Sequence, residues 1–310
     1  MRVLVIRLSA MGDVLLTLPV LRAVKSARPD LHLTLLTDAR FEPLVTRTVD
    51  DVWAWSPDVW RRVRLARFDA VVDLQHKART MLLSSLSGAP QRFALQRRTW
   101  RELARAASGR DVPSAKRHAV ERYTDVFQKI TFAIPAKCQR GDRRENLVAL
   151  APGAAHSTKR WPAERFAEVG DAFASEGYAL ALVGGAGDDA QLSALAALLR
   201  TPPLVDARGW TLAASAELLA RCALLIGNDS GLAHLATEQG TPVVAVFGPT
   251  SPRRWQPYGE AARAVSLELA CSPCTNHGGA VCPLGHHACL QDLSADHVLN
   301  AARALLAAAT

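Results

Sequence analysis

Several short stretches of this chain carry residue types able to bind an anion or take up a proton. The densest is IGNDSGLAHLATEQGTPVVAVFGPTSP, residues 226–252. An apolar run ends at Gly227, Asn228 and Asp229 make a polar turn, and Ser230 with Gly231 open a helical segment. The unpaired N–H groups and dipole of such a start suit a diphosphate. Gly231 lets those N–H groups come close, and His234 falls about one turn further on, within reach of the same anion. The plainer reading, in which Asp229 or Ser230 only caps the helix, stays open.

A second stretch is APGAAHSTKRWPAERF, residues 151–166. Pro162 suits a first helical turn, which leaves Ser157, Thr158, Lys159 and Arg160 in a loop at the carboxyl end of a strand, where open parallel sheets bind ligands. Lys159 offers a compact charge to a phosphate, and Ser157 and Thr158 offer hydroxyl donors; a solvated basic loop is the plain alternative. In VGGAGDDAQL (183–192), Gly184 and Gly185 permit close backbone approach. Asp188 or Asp189 could accept from ribose hydroxyls or simply cap the next helix. RLSAMGDVLLTLP (7–19) is different in kind: one glycine, Gly12, is followed at once by Asp13. A carboxylate at that turn would repel a phosphate, so the acid serves another purpose or caps a helix.

Cys271 and Cys274 form a C-x2-C pair followed by Cys282 and Cys289, with His277, His286 and His287 interspersed. Four soft ligands so close together could hold a tetrahedral structural metal, zinc or iron. Thiols packing a loop, or a disulfide, are the alternatives, and the cluster reads as separate from the anion-binding loops.

The elements that must position these residues alternate. VLVIRL (3–8), LHLTLLT (31–37) and FDAVVDL (68–74) are apolar runs separated by helix-period segments, the rhythm of a parallel sheet covered on both faces. The rhythm stops over residues 91–120, which are rich in Arg and lack a clean strand. PAKCQRGDRREN (135–146) reads as a linker. A second βα series follows, with strands expected at 147–152, 178–185, 203–207, 222–227 and 242–248. The expected domains are residues 1–140 and 141–310, with the last helix available to pack back on the first.

Taken together, SAMGDVLLTLP, STKRWP, NDSGLAHLA, VFGPTSP and the C-terminal CSPC with CPLGHHACL resemble the bacterial lipopolysaccharide heptosyltransferases, the ADP-heptose enzymes of glycosyltransferase family 9. The resemblance runs from Arg2 to the last helix and is thinnest over 91–118. It implies an α/β fold of the GT-B kind: two Rossmann-like, doubly wound parallel-sheet domains facing a central cleft, acceptor bound mainly by the first and nucleotide sugar mainly by the second. The reaction it implies is inverting and metal-independent, moving heptose from ADP-L-glycero-D-manno-heptose to the Kdo or first heptose of the lipopolysaccharide inner core, with no cofactor required.

Lys159 matches the family's phosphate lysine, and Asp229, Ser230, Gly231, Leu232 and His234 match its diphosphate and sugar loop. Ser157, Thr158, Asp188 and Asp189 complete the donor side. Asp13 matches the proposed base: where no phosphate is bound, an acid is tolerated and can take the acceptor hydroxyl proton. Ala154 and Ala155 stand where some members carry threonines near the phosphates. On the acceptor side the surplus positive charge points to QHKARTMLLSS (75–85), with His76, Lys77 and Arg79, and to QRRTWRELAR (96–105), with Arg98 and Arg101, beside Ser9 and Gly12 of the first loop; a solvated helical face is the plain alternative.

The chain holds 37 Lys and Arg against 29 Asp and Glu, a formal charge of +8 that favours anionic partners. An anionic glycolipid at the cytoplasmic face of the inner membrane fits that surplus, with attraction that weakens in salt. VLVIRL is interrupted by Arg7 and then Asp13, which reads as a strand and not a signal peptide, so a cytoplasmic, membrane-peripheral protein is expected. Two rival readings remain. One is a related GT-B transferase using another nucleotide sugar or glycolipid; the other, a basic nucleic-acid binder, is disfavoured because the basic residues are dispersed and no recognition motif is present.

Overall fold

The computed structural model describes residues 1–95, 117–142 and 145–308. These form two compact units that divide between Lys137 and Cys138. In the first unit the order is β1 (Arg2–Ile6), α1 (Met11–Leu15), α2 (Leu18–Ala27), β2 (His32–Thr37), α3 (Glu42–Val45), β3 (Asp51–Ala54), α4 (Val59–Ala66), β4 (Ala70–Asp73), α5 (Ala78–Leu86), β5 (Gln91–Ala94) and α6 (Ala119–Phe127). The strands pair in parallel in the order β3-β2-β1-β4-β5. β1 lies at the centre, and Val3, Leu4, Val5 and Ile6 are fully buried, which is why that strand reads as an unbroken apolar run.

The second unit runs β6 (Glu145–Ala151), α7 (Ala163–Ser175), β7 (Ala179–Gly184), α8 (Asp189–Leu198), β8 (Val205–Arg208), α9 (Leu212–Arg221), β9 (Cys222–Asn228), α10 (Gly231–Glu238), β10 (Val243–Val246), α11 (Pro252–Trp255), β11 (Ala262–Val265), α12 (Ala288–Gln291) and α13 (Ala295–Ala307). Its parallel sheet has the order β11-β10-β9-β6-β7-β8. α13 packs on α7 and on strands β9, β10 and β11 of this same unit. Its Val298, Leu299, Ala302 and Leu305 enter the core formed with Phe166, Phe173 and Leu182.

In each sheet the chain winds outward in one direction and then in the other. The reversals fall between β1 and β4 and between β6 and β9. Loops leaving neighbouring strands part at such a point and open a crevice at the strands' carboxyl ends. Asp13 follows β1 and His76 follows β4; Lys159 follows β6 and Asp229 follows β9.

Three strands escape the periodicity argument. β3, β5 and β11 are four residues each and lie at sheet edges, where one neighbour suffices and side chains stay partly exposed. β5 falls inside the region expected to lack a strand, and its Gln91 and Arg92 are exposed. Arg98 and Arg101 lie outside the described residues.

Candidate functional site

Asp13 sits in the first turn of α1, three residues after Ala10, which occupies the N-cap position. Ala10 has no capping side chain, and the Asp13 carboxylate, at the third helical position, receives the Ala10 N–H on Oδ2 at a long 3.4 Å. Its other oxygen is held by two side chains. Arg7 Nη2 lies 2.5 Å from Oδ1, and the Tyr123 hydroxyl donates to the same atom at 3.0 Å. Arg7 in turn donates from Nη1 to the Leu74 carbonyl, which fixes it across the β1–β4 reversal. Burial and then the Asp13 charge push the Tyr123 phenol well above its ordinary range, so it stays protonated and donating. Burial works against the Arg7 cation, but its neighbours Tyr123 and Asp13, the latter by both charge and hydrogen bond, outweigh it and hold the guanidinium above its usual value.

The neighbouring loop is built by hydrogen bonds. Gln75 Oε1 accepts from the backbone of Leu8 at 3.2 Å and Ser9 at 3.3 Å, and its Nε2 donates to Ser9 Oγ at 3.4 Å. Asp73 Oδ1 accepts from the N–H groups of Gln75 and His76, turning the chain so that His76 adopts a φ of 48°. Gly12 lies in α1 and its carbonyl accepts from Leu16. Lys77 is exposed at the start of α5, and Arg79 stacks on Trp55 with its guanidinium 4.6 Å from the ring centre. Of the expected acceptor residues, Ser9, Gly12, His76 and Lys77 thus stand on the two loops of the reversal, with Arg79 beside them.

In the second unit, Lys159 Nζ and Asp229 Oδ2 form an ion pair at 2.7 Å, with side chains only 13% and 7% exposed. Thr250 Oγ1 donates to the same carboxylate oxygen at 2.6 Å. Ser230 caps α10 by its backbone only, and its hydroxyl is buried without a hydrogen-bond partner among the described residues. Gly231 begins the helix; Leu232 and His234 are buried, so Leu232 packs and offers only its backbone outward. Asn228 closes the reversal, accepting from the Trp161 N–H at 3.0 Å and donating to the Pro152 carbonyl at 2.7 Å.

Against known proteins, residues 57–283 match the model of glycosyltransferase family 9 (heptosyltransferase). The chain belongs to that family. It is 28% identical to lipopolysaccharide heptosyltransferase 1 of Pseudomonas aeruginosa, over 88% of this chain and 86% of that protein. Among solved structures, it superposes on a family 9 glycosyltransferase from Veillonella parvula with a TM-score of 0.80 and 25% identity, covering 99% of this chain and 97% of the other. The E. coli ADP-heptose LPS heptosyltransferase II gives 0.76 at 25% identity, covering 99% of each chain. The two parallel α/β units are accordingly the pair that builds the GT-B fold, and the chain is a transferase.

Within this heptosyltransferase-family chain the cysteine-rich segment, expected to be separate, is joined to the loop that carries Lys159. Ser157 Oγ donates to the Ala280 carbonyl at 2.6 Å. Thr158 Oγ1 donates to the Gly279 carbonyl at 2.8 Å and accepts its N–H at 2.9 Å. Those hydroxyls, expected to face a phosphate, instead fasten residues 279–280 to the loop that carries Lys159. His287 Nε2 lies 2.7 Å from the Thr158 carbonyl. Gly278 makes the approach possible: its φ is +94°, and a Cβ there would meet Lys159 Cδ at 2.8 Å.

Cys274, Cys282 and Cys289 line a cavity of about 220 Å³ with Thr158 and His287. The Cys282 thiol is lowered by backbone N–H groups, those of His287 and Leu284 foremost. Burial pushes Cys289 up to about 11. All six cysteines are free thiols. Three of the four expected as metal ligands thus share one cavity, but among the described residues no group of three or more His, Cys, Asp or Glu side chains is arranged to hold a metal. The zinc or iron expectation does not fit this arrangement, and no step is drawn through a metal.

Asp188 Oδ2 accepts the Gly185 N–H at 3.0 Å and Asp189 is exposed in the first turn of α8, so both stand at the carboxyl end of β7, beside β6. Arg7, Tyr123 and Thr250 were given no role from the sequence, and Asn228 only that of a polar turn. Arg7, Asn228 and Thr250 lay within RLSAMGDVLLTLP, NDSGLAHLA and VFGPTSP, whereas Tyr123 meets Asp13 across 110 positions, which no local pattern encodes.

Thr158→Val keeps the shape and removes the reciprocal bonds with Gly279. Each hydrogen bond lost at this part-buried site costs about 0.5–1.5 kcal/mol, so the urea midpoint should fall accordingly. An unchanged midpoint would mean that the fastening contributes nothing.

Proposed function

We propose that this protein transfers heptose from ADP-L-glycero-D-manno-heptose to the inner core of lipopolysaccharide, with inversion and without a bound metal. The observation that carries the reading is the Asp13 carboxylate, held by Arg7 and Tyr123 at the crevice of the first sheet, in a family 9 chain. The Pseudomonas aeruginosa and E. coli relatives named above are heptosyltransferases of lipopolysaccharide, which supports this donor and acceptor.

In this reading the first unit binds the acceptor and the second the donor. The acceptor hydroxyl gives its proton to Asp13 as its oxygen attacks the anomeric carbon opposite the diphosphate; the carbon–oxygen bond to ADP breaks, and ADP leaves with the electron pair. A single displacement of this kind inverts the anomeric centre. The leaving charge meets Lys159, the N–H groups of Ser230 and Gly231 at the α10 start, and His234. Asp229 is tolerable beside a diphosphate because Lys159 and Thr250 already hold one of its oxygens; the other accepts from sugar hydroxyls. Asp188 and Asp189 stand where ribose hydroxyls would be met.

Among the described residues no helix is long and apolar enough to cross a membrane. The acceptor is membrane-bound, and we place the protein at the cytoplasmic face of the inner membrane, held peripherally by its excess of basic charge.

Calorimetric titration with ADP-heptose, UDP-GlcNAc and GDP-mannose, followed by a transfer assay on lipid A carrying Kdo, tests the assignment. ADP-heptose should bind at least about tenfold more tightly than the others, a difference of about 1.4 kcal/mol. Preferred binding of another nucleotide sugar would assign the chain to a related GT-B reaction.

A further inference from the structure

The polarity of α5 is inverted. Its inward residues Thr80, Leu83 and Ser84 are buried and mostly hydroxylic; Thr80 Oγ1 accepts the Lys77 N–H and donates to the Lys77 carbonyl, both at 3.0 Å. Its outward face is apolar. Met81, Leu82 and Leu86 are 41%, 55% and 48% exposed, and Ala78 and Ser85 are exposed with them. Positions 78, 81, 82, 85 and 86 recur at helical spacing, so they form one stripe. Of this helix only Leu83 enters the apolar core on that side of the sheet, so folding of the first unit gives the stripe no role. The neighbouring helix extends the surface. α4 packs beside α5 and exposes Leu65 at 67%, with exposed Arg61 and Arg64 a turn or less before it. Neither helix contains an acidic residue, whereas together they carry Arg61, Arg62, Arg64 and Arg79. An exposed apolar stripe with a basic surround marks a surface for something both apolar and anionic.

We propose that the outward faces of α4 and α5 dock this protein on an anionic phospholipid bilayer, the leucines and Met81 entering the boundary of the acyl chains and the arginines meeting lipid phosphates. The inference deepens the peripheral placement given above and rests on that reading for its membrane-bound acceptor. A second copy fits the same face poorly. Pairing about a two-fold axis would set arginine against arginine, with no acid in either helix to offset them. A bilayer with anionic headgroups supplies both required chemistries. α5 begins directly after His76 and Lys77, so docking it holds the loop that leaves β4 close to the surface from which the acceptor enters.

The test is sedimentation of the full chain with vesicles of phosphatidylglycerol and phosphatidylcholine in equal parts, and with phosphatidylcholine vesicles alone, in low and high salt. Two paired variants accompany it: Leu82→Gln with Leu86→Gln, and Arg61→Gln with Arg64→Gln. Gln forms helix about as well as Leu and both leucines are exposed, so the leucine pair should fold, which its melting midpoint checks. The original should partition onto the anionic vesicles at least about tenfold better than onto phosphatidylcholine. The leucine pair should lower that partition about tenfold at either salt concentration, because apolar burial is not screened. The arginine pair should lower it about tenfold to thirtyfold in low salt and little in high salt. If the leucine pair does not fold, Leu82→Gln alone carries the test, with about a threefold loss expected. Vesicle binding that neither pair weakens overturns the proposal and leaves the peripheral placement to another surface. No binding of the original to either vesicle overturns both. A dimer of the original, seen by sedimentation velocity without lipid and dissociated by the leucine pair, overturns the proposal in favour of a second copy.

Discussion

Asp13→Asn should lower turnover on the order of a hundredfold to ten-thousandfold, the range for loss of a positioned general base. Asn keeps the size and can still accept from Arg7 and Tyr123, but it cannot take a proton. With the amide oxygen turned to Arg7, the long contact from the Ala10 N–H to the side chain is lost, a small cost at 3.4 Å. Losing the charge opposite Arg7 lowers stability somewhat, so rates are to be read below the variant's own melting midpoint. ADP-heptose affinity, measured by calorimetry, should stay within about twofold, since Asp13 belongs to the first unit and the donor loops to the second. In the original protein the rate should fall as acid protonates Asp13, and that acid limb should vanish in the variant. A folded Asp13→Asn protein turning over within about threefold of the original would end the base assignment.

Lys159→Ala should weaken ADP binding about tenfold to a hundredfold, from loss of a charge-assisted contact typically of about 1.5–3 kcal/mol. The structure places the effect toward the upper end. Lys159 pairs with Asp229 at 2.7 Å, so its removal leaves a nearly buried carboxylate facing the incoming diphosphate. The double variant Lys159→Ala with Asp229→Asn removes that repulsion and should bind ADP more tightly than Lys159→Ala alone. Equal ADP affinity in the original and in Lys159→Ala would take Lys159 out of the site; no recovery in the double variant would take Asp229 away from the phosphates.

By itself the sequence determined the parallel sheets and their central strands. Strands buried on both faces must be apolar along their whole length, so Val3–Ile6 and Cys222–Ile226 announce themselves. It also determined where ligand loops fall, because polar turns at the ends of such strands have nowhere else to face, and it carried the motifs through which the family was legible. The edge strands Asp51–Ala54, Gln91–Ala94 and Ala262–Val265 were not legible, since a four-residue strand with one neighbour needs no continuous apolar pattern.

Only the tertiary structure decided what the polar residues do. Ser157 and Thr158 looked like phosphate donors from their loop, yet their hydroxyls meet backbone more than a hundred positions away. The four cysteines are clustered in the sequence without being arranged as a metal site among the described residues, and Asp13 acquired its holders from the end of β1 and from α6. Local periodicity records which face of an element is buried, because burial acts on each side chain through its own helix or strand. A hydrogen bond or ion pair between distant segments leaves no such period, and is fixed only when the packing of the core brings the two segments together.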